Sequence, residues 1–363
     1  MTVTRRGFLK GLASAIAIAG AGCGGSYSCN SYGCDEPASE ETFLEPAPQI
    51  SPLSPIDQGL YQNQFNMAFV IVSDDPAQVT DKKIEYISGI ADKFGESFSN
   101  ATWGLSTMRT SFDVITLDSL LTGSKKKLDR DRAIKKFLET NSDDYDFITF
   151  FPFSQTEKEN ATPEFSYGIY PNQYHSTLQN RISGINISFK ERPDLSKKLL
   201  GTNIAPILMS SEDYQLEGEK ILSGLLHETG HQWGMYLGED FNGVDNNLGV
   251  RQQGIHFYRG LHSPYSATTP MDSDHWVPNG DGTYHRVNEQ ELQSYHPIQL
   301  YCMGLLNEHN DYGGLLNRKF PIYDCGGADT GRPYNFQSAT PHSQVSINDI
   351  IKVEGSRQWV ENP

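Results

Sequence analysis

Positive charge is scarce in this sequence. Against 45 Asp and Glu stand 29 Lys and Arg, giving a formal net charge of −16 at pH 7. A nucleic-acid partner needs clustered cations to displace phosphate counterions, so that class of function is excluded. The one basic cluster is Lys125-Lys126-Lys127 with Arg130, Arg132, Lys135 and Lys136. It falls on a predicted amphipathic helix with Ile134, Phe137 and Leu138 inward, and it reads as a solvated face. No internal repeat is visible. A long hydrophobic run is also missing: the apolar stretch from Gly11 to about Gly22 is too short to span a bilayer as a mature helix. Cysteine is sparse, at five residues. Cys29 with Cys34 could close a small loop and Cys302 with Cys325 a larger one, but pairing does not follow from sequence, and buried thiols remain the alternative.

What is present suffices for a globular catalytic domain. The chain has 363 residues, of which 37% are hydrophobic and 11% aromatic, enough to bury a sizeable core in one large domain or two ordinary ones. Its beginning reads as an address. Thr4-Arg5-Arg6-Gly7-Phe8-Leu9-Lys10 resembles a twin-arginine export signal, and the apolar Gly/Ala-rich stretch follows it. Cys23 comes directly after Gly20-Ala21-Gly22, a small-residue ending like that of a lipoprotein signal, so lipid on Cys23 is expected, with ordinary cleavage nearby as the alternative. Residues 23–62, with five prolines and no apolar period, read as a tether. The expected order is a signal over 1–22, a tether over 23–62 and one domain over 63–363. The expected location is the cell envelope.

The domain reads as α/β. Phe65 to Val72 is an apolar run suited to a buried strand. Thr80 or Asp81 then caps a helix with Ile84, Ile87, Ala91, Phe94 and Phe98 on one face. Phe112 to Leu117 alternates like a strand, 129–140 looks helical, and Tyr145 to Phe153 is a second buried strand. Further short strands are expected at Tyr167–Tyr170, Ile182–Phe189 and Ile204–Met209. This order predicts a mixed, mostly parallel sheet with helices packed on it. From Gly238 to about residue 290, Gly, Asn, Asp and Pro recur at short intervals and predict a loop-rich stretch.

The chemistry concentrates on one predicted helix, Glu217 to Met235, with Gly238 available to end it. His227 and His231 are four apart, so both imidazoles project from one face, one turn apart. That spacing lets two nitrogens reach one tetrahedral zinc ion at about 2.0–2.1 Å. Glu228 adjoins the first ligand and is expected to act as general base on a water that zinc has acidified toward a pKa of about 7. A surface helix that happens to hold two His and one Glu is the bland alternative. Against it, Ile221, Leu222, Leu225, Leu226 and Trp233 would bury this helix, and buried imidazoles and a carboxylate require a partner.

A resemblance extends the reading. His227-Glu228-Thr229-Gly230-His231-Gln232-Trp233 resembles the core of a group of predicted bacterial zinc metallopeptidases. Blocks at Tyr145–Phe153, Gln179–Ile187, Ser294–Leu305 and Val345–Gly355 are similar to further segments of that group. The resemblance implies a zincin-type catalytic domain over roughly residues 65–358. Gly234 follows His231 by three, as in metzincins, but Leu237 stands where their third histidine would be and cannot bind zinc. His256, in Gly254-Ile255-His256-Phe257-Tyr258, is the chosen third ligand, since the resembling group has a His before an aromatic residue at a similar distance. His262, Asp240 and Glu239 are its rivals, and His275 stands behind them. Met271, in Thr269-Pro270-Met271-Asp272, is preferred over Met303 for the turn that metzincins place beneath the metal. His175, His285, His296, His309 and His342 read as ordinary hydrogen-bonded histidines.

The expected activity is zinc-dependent endopeptidase action on a peptide or protein, with the strand before the metal helix receiving an extended substrate. Two other readings stay open: a surface binding or adhesion protein with a structural zinc, and a zinc amidase acting on a cell-wall component.

Overall fold

The computed structural model describes residues 64–118, 121–122, 127–153, 174–179, 192–205, 214–233, 259–261, 269–271, 275–287, 294–306, 308, 314–324 and 340–357. The chain divides into two compact units, Met1–Thr42 and Phe43–Pro363, and every described residue lies in the second. The signal, Cys23, the tether and the expected strands at 167–170 and 182–189 lie outside the described residues. Among the described residues no helix is long and apolar enough to cross a membrane.

The apolar run at the start of the domain forms β1 (Gln64–Ser73), buried along nearly its whole length. A strand reads as a continuous hydrophobic run when both faces of its sheet are covered. The chain then enters α1 (Asp81–Ala101), where the Thr80 hydroxyl accepts a hydrogen bond from the Lys83 N–H at 3.4 Å. It returns as β2 (Thr107–Thr116), parallel to β1. A short ribbon of β3 (Leu121–Thr122) and β4 (Lys127–Leu128) leads into α2 (Arg130–Leu138), capped by Asp129. β5 (Phe147–Phe153) pairs in parallel with the other side of β1, and β6 (Tyr174–Thr177) and β7 (Gly201–Ile204) complete the sheet. Its order is β2-β1-β5-β7-β6, with β6 antiparallel to β7 and the other pairs parallel. The expected mixed, mostly parallel sheet is what forms.

Alternate residues of the strands feed two cores. Phe65, Met67, Phe69, Ile71, Phe147 and Phe151 face α1, and Ala68, Val70, Val72, Ile148 and Phe150 face α2. Each helix thus covers its own side of the sheet. The outer face of α2 carries the basic cluster. Arg132 pairs with Asp118 at 3.2 Å and Lys136 with Glu139 at 2.7 Å, both exposed, as a solvated face predicts. Lys125 and Lys126 lie outside the described residues.

Several boundaries differ from expectation, and β2, expected over Phe112–Leu117, begins at Thr107. The strand expected at Ile204–Met209 shares only Ile204 with β7 (Gly201–Ile204), and residues 206–209 lie outside the described residues. β7 is also interior, paired with β5 on one side and β6 on the other, so among the described residues the edge strands are β2 and, on the side of β7, β6. The helix expected over 217–235 is α3 (Tyr214–Gly230), followed by a tighter 3-10 turn at His231–Trp233. Gly230 is the reason for the early end. A Cβ there would lie 3.2 Å from Met271 Cγ and closer still to its Sδ, so glycine is needed, and glycine weakens a helix interior.

Much of the stretch from 238 to 290 lies outside the described residues, but regular elements occur among those that are described in the second half. That half contributes β8 (Arg259–Leu261), β9 (His275–Pro278), β10 (Tyr284–Val287), α4 (Pro297–Cys302), β11 (Phe320–Asp324), β12 (Thr340–Val345) and α5 (Ile347–Glu354). β9 and β10 form a hairpin whose turn holds Gly280 and Gly282 at positive φ, and β12-β11-β8 form an antiparallel sheet. These strands run three to six residues, too short for a periodic signal to show in the sequence. Tyr295, Ile298, Tyr301, Met303, Ile347 and Ile350 from this half are fully buried in the same core as α1 and α3. Cys302 is buried in α4, and Cys29, Cys34 and Cys325 lie outside the described residues.

Candidate metal centre

The apolar side of α3 seats its polar end. Leu222, Leu225 and Leu226 join the core beneath the helix. The turn after it is pinned by Trp233, whose ring centroid lies 5.7 Å from that of Phe65 and 5.8 Å from that of Phe147. Arg357 Nη1 donates to the Trp233 carbonyl at 3.2 Å, placing a cation at the carbonyl end of the helix, where it is favoured. These anchors fix where His227, Glu228 and His231 project.

His227, Glu228 and His231 each offer one ligand atom, and these atoms all lie within 4.8 Å of one another. The two Nε2 atoms are 3.0 Å apart. A zinc ion bound at about 2.05 Å with tetrahedral angles would hold them about 3.3 Å apart, so the pair is within a few tenths of an ångström of a chelating geometry. His227 Nδ1 lies 2.7 Å from the Pro270 carbonyl oxygen. It therefore carries the proton, which makes Nε2 the acceptor nitrogen of the ring, the form that a cation takes as ligand. Burial, then the neighbouring His227 and His175, push the His231 pKa from 6.5 down to about 2. A neutral imidazole is the ligand form, so the donor set fits a zinc ion. Glu228 is buried beside the pair.

Met271 is fully buried, with its side chain against Gly230, and Pro270 holds His227. The turn at Thr269–Met271 thus lies against the metal helix, as preferred from sequence. Met303 is instead a fully buried core residue at the end of α4. The turn is braced in its own right: Gln299 Nε2 donates to Thr269 Oγ1 at 3.0 Å, and Tyr295 Oη donates to the Leu226 carbonyl at 2.6 Å. His256, His262, Glu239 and Asp240 lie outside the described residues, and His275 is described only as the first residue of β9. The structure therefore brings together His227, Glu228 and His231.

Sequence reasoning missed a polar network beside these three. Asn203 Nδ2 donates to Thr229 Oγ1 at 3.0 Å, fixing the residue after Glu228 to β7. His175 Nδ1 lies 2.7 Å from Asn203 Oδ1, and its Nε2 lies 2.9 Å from Gln232 Oε1. Burial lowers the His175 pKa to about 4, against the pull of both amide partners. Gln232 was visible as part of the motif, but nothing in its spacing pointed to His175, 57 residues earlier.

No protein-family model matches this chain, and no curated protein matches it. Among solved structures it is similar to the archaemetzincin of Methanopyrus kandleri, at 14% identity and a TM-score of 0.26 over 46% of this chain and 73% of that one. A structure described as a chaperone–substrate complex gives 12% identity and a TM-score of 0.28 over 67% of this chain and 35% of that one. Likenesses this loose carry no argument about the site. The residues themselves carry it.

Proposed function

We propose that this protein is an exported zinc-dependent endopeptidase whose general base is Glu228. The observation that supports it is the convergence of the His227 and His231 Nε2 atoms at 3.0 Å, beside a buried Glu228. A zinc ion held there by His227, His231 and, as third ligand, His256 would polarise the scissile carbonyl and acidify a water. Glu228 takes that water's proton as it attacks and delivers it to the departing amine nitrogen, which breaks the C–N bond. Pro270 keeps His227 in the tautomer that leaves Nε2 available. Among the described residues β6 borders the sheet on the side of β7, and it is the strand along which an extended peptide would lie, the role first expected of the strand before the metal helix. Replacing Glu228 by Gln keeps the shape and removes the base. Zinc content should stay at the parent level while turnover of denatured protein substrates falls by at least about a thousandfold. Parent-level turnover in Glu228→Gln would remove Glu228 as the base, and hydrolysis insensitive to chelators would remove the zinc reading.

Export by the twin-arginine route, with lipid on Cys23 and residues 24–62 as tether, completes the proposal, supported by the Arg5-Arg6 pair and the small residues before Cys23. Changing Arg5 and Arg6 to Lys should leave the precursor in the cytoplasm, as fractionation would show. Normal export of that variant would rule this route out.

A further inference from the structure

Gln232 spends both ends of its amide on a single short strand. Its Oε1 meets His175 Nε2 at 2.9 Å, and its Nε2 donates to the Gln179 carbonyl at 2.8 Å. His175 lies within β6 and Gln179 two residues beyond it, so one side chain bridges the strand from one end to the other. The bridging residue directly follows the metal ligand His231 and is itself buried. His175 continues the connection to Asn203 of β7, and Asn203 continues it to Thr229, which adjoins Glu228. Among the described residues β6 pairs with β7 alone over four residues, and so short a ladder sets register weakly.

Gly201 is a second, independent sign that this approach is built in. A Cβ at that position would lie 2.7 Å from His175 Nε2 and closer still to Gln232 Oε1. Its φ is not among the positive values, so the need for glycine there is close approach rather than backbone conformation. Both partners occupy the space a side chain would fill.

We infer that Gln232 and His175 are positioning residues that lock the edge strand in one register against the turn carrying His231. A strand-like substrate laid on β6 would then meet Glu228 at a fixed depth. That consequence rests on the peptidase reading above, whereas the lock itself does not, and the two can fail separately.

The test uses the full chain and three variants: Gln232→Ala, His175→Ala and Gly201→Ala. In zinc-free protein, amide exchange at Tyr174–Gln179 should quicken by about tenfold or more in each, while β1 and β5 exchange as in the parent. Gly201→Ala is the decisive member, since it removes no polar group and still expels both partners. Zinc affinity, by competition with a chelator, should stay within about fivefold of the parent, because neither residue is a ligand. With substrates, KM should rise about tenfold for peptides long enough to lie along β6, while short amides that do not reach it should keep the parent KM. If Gln232→Ala does not fold, Gln232→Met keeps the volume and removes the same two bonds. Unchanged exchange over Tyr174–Gln179 in all three variants would overturn the lock. Quickened exchange with equal loss on long and short substrates would keep the lock and overturn its role in seating substrate. If the parent cleaves no peptide, the peptidase reading fails and the exchange result still decides the lock.

Discussion

The two faces of the central sheet are built by different rules. Under α2 the core is made of hydrocarbon and aromatic side chains, among them Val70, Val72, Ile134, Phe137, Ile148 and Phe150. Under α3 the apolar core of β1 gives way, toward β7 and β6, to buried polar groups: Thr149, Asn203, Thr229 and Gln232, with Glu228 above them. Burying such groups costs several kcal/mol each unless every donor and acceptor finds a partner. Most of the partners exist here: Asn203 Nδ2 reaches Thr149 and Thr229, Gln232 Nε2 reaches Gln179, and a neutral His175 donates to one of the two amide oxygens beside it, Asn203 Oδ1 or Gln232 Oε1. A fold needing only stability would have repeated the α2 solution on both sides. A hydrogen-bonded polar network of this extent, beside the helix end that carries two convergent imidazoles, marks where stability yields to function.

The contrast can be broken from the apolar side first. Phe137 is fully buried, with its ring centroid 5.3 Å from that of Tyr145. Phe137→Ala should lower unfolding stability by about 3–5 kcal/mol through lost burial and the cavity left behind. Zinc stoichiometry should not change, because α2 and α3 cover opposite faces. Denaturant unfolding with metal titration would check this, and loss of zinc binding in a folded variant would show that the faces are coupled.

A smaller effect is expected from the polar side, and acid reveals it. In the zinc-free protein the His175 pKa drops from 6.5 to about 4 on folding, chiefly through burial. The unfolded chain therefore binds the proton first as pH falls. The full stability is present above about pH 6.5 and is lost progressively down to about pH 4, with an upper bound of roughly 3 kcal/mol at about 1.4 kcal/mol per pH unit. His231, lowered from 6.5 to about 2, adds its own loss over the same window and extends it below pH 4. Urea unfolding between pH 7 and pH 4.5 should show the decline in the parent and a shallower one in His175→Gln. Equal slopes would mean that His175 is not the group responsible.

Much of the frame was legible because it depends on local chemistry. β1 announced itself by the apolar stretch Phe65 to Val72, broken only by Asn66, as expected of a strand covered on both faces. α1 was bounded by its Thr80 cap and its apolar spacing, and α2 by Asp129 and Ile134, Phe137 and Leu138. The three metal-site residues were legible for the same reason, since a spacing of four on a helix fixes two side chains on one face whatever the rest of the chain does.

The tertiary structure decided the rest. That His227 carries its proton on Nδ1 depends on a carbonyl 43 residues away at Pro270. That α3 stops at Gly230 depends on where Met271 packs. Which strand borders the sheet depends on the pairing of β6 with β7, two segments whose short runs look alike in sequence. His175 gave no signal at all, because its partners Asn203 and Gln232 lie 28 and 57 residues further on. The sequence by itself determined many of the elements and the His227–His231 pair, whose geometry is carried by covalent spacing along one helix. The edge, the tautomer and the polar network came only with the folded chain, because each is a contact between segments that covalent spacing does not bring together.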